Sequence, residues 1–301
     1  MKKQTIIPIL FAILGNVFWG FSFLFIQVAL EINGNNTNLL LAHRFILSTA
    51  LMLLPLIFRK VRFSLKGKPF ASLLVLMLMQ LGYYFFETQG LLRTNSTFAG
   101  MVLAAVPLGA IVTGMLFLKE YPTKRQALFC LLPVAGIVIM TLSANKLGVI
   151  TPIGVLCLFL CMCCSALYKT ANRKASIHFS TYERTLLITF ISAVTFTIVS
   201  LASLNWDLRS FFAPLGNISY ILPLLFLSVV CSILSNLMVN YAASKMSVFK
   251  LASFGAISTL VSTFMGVIVL GDPVSWPLLG GAAMIIIGVQ QVIRPDKSKS
   301  K

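Results

Sequence analysis

Long apolar runs separated by short polar connections follow one another from end to end of the chain. A helix that crosses a bilayer needs about 20 mostly apolar residues. Ten segments meet that length, at roughly 6–30, 38–58, 70–91, 97–118, 126–144, 151–170, 184–204, 218–241, 248–270 and 275–293. Lipid offers no partners for backbone N–H and C=O groups, so such runs fold as helices. Several connections carry residues that stop helices: Asn33-Gly34-Asn35-Asn36, Gly67-Lys68-Pro69, Asn145-Lys146-Leu147-Gly148 and Gly271-Asp272-Pro273. The connection over residues 205–217 is longer, and Trp206, Phe211 and Phe212 predict a short interfacial helix there. The pattern predicts an all-α membrane protein of ten transmembrane helices.

Composition and charge sharpen this reading. Of 301 residues, 58% are hydrophobic and 10% charged, whereas a soluble domain carries about 25% charged residues. Lys2 and Lys3 precede an apolar run that is too long for the roughly 7–15 apolar residues of a secretory signal, so that run reads as the first span. A net charge of +17 invites a nucleic-acid partner, but the basic residues sit in small clusters between apolar runs, which excludes one. With the N-terminus inside, 20 of the 24 Lys and Arg fall on inner connections, and Arg44, Arg93, Lys146 and Arg209 fall outside. That asymmetry follows the positive-inside rule and predicts that both termini are cytoplasmic. A multi-pass protein of the cell membrane, with the bilayer as its surroundings, is the expectation.

The two halves share a pattern. Leu118-Lys119-Glu120-Tyr121-Pro122 follows the fourth run and Leu270-Gly271-Asp272-Pro273 the ninth. In the same register Gly114 matches Gly266 and Gly136 matches Gly288. Glu120 falls inside and Asp272 outside, as two five-span repeats of opposite topology require. The expected organisation is a first repeat over residues 1–145, a second over 146–293, and a basic tail over 294–301.

Several motifs then occur in order. The first run carries Asn16-Val17-Phe18-Trp19-Gly20-Phe21-Ser22-Phe23, and the second starts Leu41-Ala42-His43-Arg44-Phe45. The third ends in Phe86-Glu87-Thr88-Gln89-Gly90-Leu91-Leu92-Arg93-Thr94-Asn95-Ser96-Thr97, with Pro107 inside the fourth and Glu120 at its end. The sixth ends Ser165-Ala166-Leu167-Tyr168-Lys169, followed by Arg173-Lys174. In this order and spacing the chain resembles the EamA-type members of the drug/metabolite transporter superfamily over nearly its whole length. It departs from them in having Ser258 or Thr259 where the first half has Pro107, Asp272 in place of a glutamate, and no tryptophan in the sixth run to match Trp19. The resemblance implies a substrate path among the third, fourth, eighth and ninth spans. It also implies export or uptake of amino acids or related metabolites.

Read on their own, a few polar residues stand out within the apolar runs. Glu87 is an acid in the third run, and a charge at membrane depth costs about 2.5–3.5 kcal/mol on insertion scales. Gln80, Tyr83, Tyr84 and Glu87 follow three-and-four spacing, so one helix face presents an amide, two phenols and a carboxylate. That face suits a polar substrate with an ammonium group, and Glu87 suits a proton carrier. The competing reading is structural, with Glu87 reaching water or pairing with Arg93 or Arg44. Trp19 lies mid-run between Asn16 and Ser22, as a pocket wall or as packing beside Gly20. Asn236 and Asn240 lie one turn apart in the eighth run, as substrate contacts or as interhelical hydrogen bonds. Pro107 is a candidate kink for gating. Arg44 reads as an interfacial anchor or as a partner for Glu31 or Glu87.

Other chemistry finds little support. Cys157, Cys161 and Cys164 share a face, but no His or acid joins them on that helix, so no metal is expected. The chain has only two histidines, and no phosphate-binding Gly-rich loop with lysine. Neither an enzyme nor a cofactor is expected. The expected partners are a small-molecule substrate and a proton, with a monomer sufficient. The function this predicts is secondary transport of small polar metabolites, with export of lipophilic cations or a non-transporting assembly role as the alternatives.

Overall fold

The computed structural model describes residues 3–61, 63–91, 93–94, 99, 102–142, 151–270 and 276–294. The motif residues 95–97, the connections 145–148 and 271–273, and the tail 295–301 lie outside the described residues. The described residues form helices and no strands. They are α1 (Lys3–Ile32), α2 (Thr37–Ile57), α3 (Ala71–Leu91), α4 (Val106–Leu118), α5 (Lys124–Leu142), α6 (Pro152–Ala175), α7 (Thr181–Ser203), α8 (Leu208–Phe212), α9 (Ile218–Leu225), α10 (Ser235–Lys245), α11 (Val248–Ser253), α12 (Gly255–Leu270) and α13 (Trp276–Ile293). The helix joining α9 to α10 over Phe226–Leu234 is of π type. Taking continuous segments such as Ile218–Lys245 whole, eight helices among the described residues are long and apolar enough to cross a membrane, and Val106–Leu118 is a shorter apolar one. Large apolar side chains such as Leu116, Ile268 and Trp276 point outward, whereas Ser228, Ser232 and Ser235 are fully buried. That reversal is the arrangement expected of a multi-pass protein whose surroundings are lipid.

The chain forms two compact units, Met1–Met77 with Ala175–Ser244, and Leu78–Lys174 with Lys245–Lys301. Each takes helices from both halves of the sequence.

In the first unit α2 packs along α7, and α1 packs along α9 and the π segment. Ser180 opens α7 as a capping box: its hydroxyl accepts from the Glu183 amide, and the Glu183 carboxylate accepts from the Ser180 amide. The Ser-Thr-Tyr-Glu spacing at 180–183 favours that arrangement because it satisfies two otherwise unpaired donors. The same carboxylate accepts from the Ser64 amide (3.0 Å) and pairs with Lys68 (2.7 Å). The connection after α2 is thereby pinned to the start of α7. A short helix does form in the 205–217 connection, as α8, capped by Asp207. The Ser210 hydroxyl and then the Arg209 amide hold the Asp207 carboxyl below its usual range. Phe211 is buried and meets His43 edge-on, while Trp206 and Phe212 are exposed.

In the second unit α5 and α13 run in close contact. A Cβ at Gly136 would stand 2.6 Å from the Gly281 carbonyl oxygen, and one at Gly281 2.5 Å from that of Gly136. Only glycine fits at both places. Gly90 faces Leu158 and Gly82 faces Cys164, which brings α3 onto α6. Gly109 faces Ala166, and Thr113 bonds Thr170 at 2.7 Å, which brings α4 onto the same helix. Pro107 lies in the first turn of α4, after the helical path breaks at Ala105. A proline there sacrifices no intrahelical bond, because first-turn amides have no partner anyway. Lys119 ends α4 in a left-handed conformation (φ 55°). Glu120 then accepts from the Val248 amide (2.8 Å) and pairs with Arg173 (3.2 Å).

Candidate functional site

The predicted polar face of α3 forms as its spacing requires. Tyr83 and Glu87 lie four residues apart, one helical turn, and the Tyr83 hydroxyl donates to Glu87 Oε1 at 2.6 Å. Tyr84 stands edge-on to Tyr83, with ring centroids 5.4 Å apart. Cys161 of α6 donates to the Tyr83 carbonyl. Gln80 is half-buried, and among the described residues its amide has no hydrogen-bond partner. Arg93, one of the structural partners considered for Glu87, is turned to Gln89 instead, bonding its carbonyl and side-chain oxygens at 3.1 and 2.6 Å. The second unit therefore holds a carboxylate, two phenols and an unpartnered amide on one helix.

Pro107 apart, the remaining predicted residues belong to the first unit and are tied to its frame. Asn16 is buried and donates to Ala12 one turn back. The Trp19 indole N–H donates to the Cys231 carbonyl at 3.0 Å, in the π segment. Wide turns offer carbonyls to side chains, and such segments often occur at functional sites. Here the carbonyl acceptors are taken up from α1, α2 and α10. Ser48 reaches the Ser228 carbonyl (3.2 Å), and Asn236 the Ser232 carbonyl (2.8 Å). Asn236 is half-buried, and among the described residues nothing donates to its Oδ1. Asn240 is fully buried, donates to Thr185 Oγ1 and accepts through its backbone carbonyl from Arg184, each at 2.8 Å.

Sequence patterning missed three cations. Arg44 is buried within the first unit, where its Nε donates to Ser232 Oγ at 2.6 Å. Arg184 is completely buried although it begins a span. Lys169, counted with the inner basic residues, stands within α6, which continues to Ala175, and both its neighbours, Tyr168 and Thr170, are buried. The signal available in the sequence was that Arg44 and Lys169 stand beside apolar runs without acidic neighbours, whereas Arg184 directly follows Glu183. Among the described residues no group of three or more His, Cys, Asp or Glu gathers in a way that could hold a metal.

Comparison with known proteins bears on this architecture directly. Residues 6–142 and 152–293 match the model of the EamA-like transporter family. The chain is similar to the "Uncharacterized transporter YcxC" of Bacillus subtilis (strain 168), with 31% identity over 293 residues, covering 96% of this chain and 93% of that one. It is also similar in fold to a protein of known crystal structure, with a TM-score of 0.74 at 18% identity, covering 95% of this chain and 97% of that one. The family match takes in all eight long apolar helices and the α3 face that carries Glu87. This multi-pass membrane protein belongs to the EamA-like transporter family, within the drug/metabolite transporter superfamily.

Proposed function

We propose that the protein is a secondary carrier that exports small polar metabolites, amino acids or their relatives, across the cell membrane by alternating access. Glu87 carries the coupled proton in this reading. The observation that carries it is the Tyr83–Glu87 pair, a carboxylate hydrogen-bonded at 2.6 Å inside an apolar helix. Acids at membrane depth are expensive and serve ion or substrate paths by default. The half-buried, unpartnered Gln80 amide on the same face adds a second polar group for a solute.

The frame of this carrier is ten spans in two inverted repeats with both termini in the cytoplasm, and one chain suffices. Contacts within the units support it. Lys68 and Ser64 reach Glu183, joining the connection after the second span to the start of the seventh. Glu120 reaches Arg173 and Val248, and Arg125 reaches Gln291, joining inner ends only. Thr151 reaches the Arg93 carbonyl, joining outer ends. The second and seventh spans pack together, as do the fifth and tenth.

Flux is the test. Cells making the wild type are compared with cells making Glu87→Gln, across an amino-acid panel and several lipophilic cations. The wild type is expected to shift one amino-acid class, and Glu87→Gln to lower that flux about tenfold or more, since a hydrogen bond to a charged group is worth about 1.5–3 kcal/mol. Equal flux from both proteins would remove Glu87 from the mechanism. The second reading, a proton-coupled exporter of lipophilic cations, draws on the Tyr83–Tyr84 ring pair beside the carboxylate, and movement of the cations alone would establish it. An inserted protein that moves nothing would leave an assembly role.

A further inference from the structure

The second unit contains a cation that the Glu87 reading does not use. Lys169 sits in α6, six residues before its end at Ala175, and is half-buried between buried Tyr168 and buried Thr170. Among the described residues no carboxylate, carbonyl or hydroxyl bonds its ammonium. The contrast with its neighbour is direct, because Arg173, one turn on, pairs with Glu120.

Its direction follows from the packing of α6. Leu158, Cys161 and Cys164 meet α3, through Gly90, the Tyr83 carbonyl and Gly82. Met162, Ala166 and Thr170 meet α4, through Gly109 and Thr113. At about 100° per residue, Lys169 falls on the arc of α6 between these two stripes. Side chains on a helix lean toward its N-terminus. In the proposed topology α6 runs inward, so Lys169 leans away from the inner surface rather than toward it. A lysine that only anchors an interface does the opposite.

We propose that Lys169 is the fixed cation of the substrate site, and that the solute carries a carboxylate or another oxyanion which this ammonium neutralises. The inference rests on the transporter reading and deepens it by naming the charge the solute must bear. Aligning α3 and α6 through their glycine contacts places Glu87 about nine residues, or roughly 13 Å, from the level of Lys169. One α-amino acid cannot bridge that distance. The lysine meets the solute's anion while Glu87 holds the proton.

The test measures binding separately from flux. Purified full-length protein is titrated with the twenty common amino acids, succinate and inorganic phosphate. Each amino acid that binds is compared with the amine lacking its carboxylate, and thermal stability is the readout. At least one oxyanion is expected to stabilise the wild type. Lys169→Arg is expected to retain that response, and Lys169→Gln to need about tenfold more ligand or worse. Without ligand, Lys169→Gln is expected to melt no lower than wild type, because removing an unpaired charge removes its desolvation cost. Three results overturn the inference: equal response from Lys169→Gln, amines binding as well as their amino acids, or stabilisation by tetraphenylphosphonium and by no oxyanion. A lower melting point of ligand-free Lys169→Gln also overturns it, by making the lysine structural. The same probes in proteoliposomes judge the carrier reading separately: Lys169-dependent binding without flux would refute transport and leave the anion site standing.

Discussion

Two asparagines one turn apart have different surroundings, and the difference is testable. Asn240 is fully buried and ties α10 to α7 through Thr185. Asn240→Ala leaves Thr185 without that donor. The expected loss is about 0.5–2 kcal/mol, read as a lower melting point of the ligand-free protein. Asn236 bonds only carbonyls of its own helical stretch, and its Oδ1 has no donor among the described residues. Asn236→Ala is expected to leave stability within about 0.5 kcal/mol and to alter solute affinity. If Asn236→Ala melts as low as Asn240→Ala, both are structural. Sequence spacing puts both on one face, as it puts Tyr83 and Glu87 on one face of α3, because a four-residue separation is local. Arg44 meeting Ser232 was not legible, since that bond joins residues 188 apart in the chain. The surroundings of Lys169 were not legible either: the apolar run 151–170 contains it, but hydropathy does not tell that its neighbours Tyr168 and Thr170 are buried.

At the scale of elements, hydropathy found the helices well and their contacts hardly at all. α2, α7 and α13 begin and end within about three residues of the apolar runs, because length and apolarity alone decide what lipid accepts. The π segment escaped notice, since the composition of Phe226–Leu234 is that of any buried helix. The pairing of α5 with α13 also depends on a detail invisible to hydropathy, the meeting of Gly136 with Gly281. A side chain at Gly281 would meet the Gly136 carbonyl oxygen at 2.5 Å, but one at Gly280 would meet nothing within 4 Å. Gly281→Val is therefore expected to destabilise by about 2–4 kcal/mol or to abolish folded yield. Gly280→Ala is expected to be neutral or stabilising by up to about 1 kcal/mol. Size-exclusion profiles and melting curves of the two variants decide the matter, and equal behaviour would refute the close crossing.

For the whole molecule, the span count turns on α4. Its 13 residues from Val106 to Leu118 rise only about 20 Å, short of a hydrocarbon core about 30 Å thick. If neither α4 nor α5 crossed, both chain termini would still share a side, so locating the termini cannot separate eight spans from ten. The connection between α4 and α5 can, because it is inside in a ten-span chain and outside in an eight-span one. Three basic residues there, Lys119, Lys124 and Arg125, favour the inside. The Glu120–Arg173 pair favours it too, since a 3.2 Å contact cannot reach across the core and Arg173 closes a span that ends inside in the proposed topology. Tyr121 is 70% exposed on this connection, and Trp206 is 63% exposed on the connection after α7. Cysteine at each, read against the signal from the native cysteines, tests sidedness with a membrane-impermeant thiol reagent on intact cells. Trp206→Cys is expected to react at once, and Tyr121→Cys only after the membrane is opened. Reaction of both in intact cells would put the α4–α5 connection outside, and with it would fall the ten-span count, the inverted repeats and the inward run of α4.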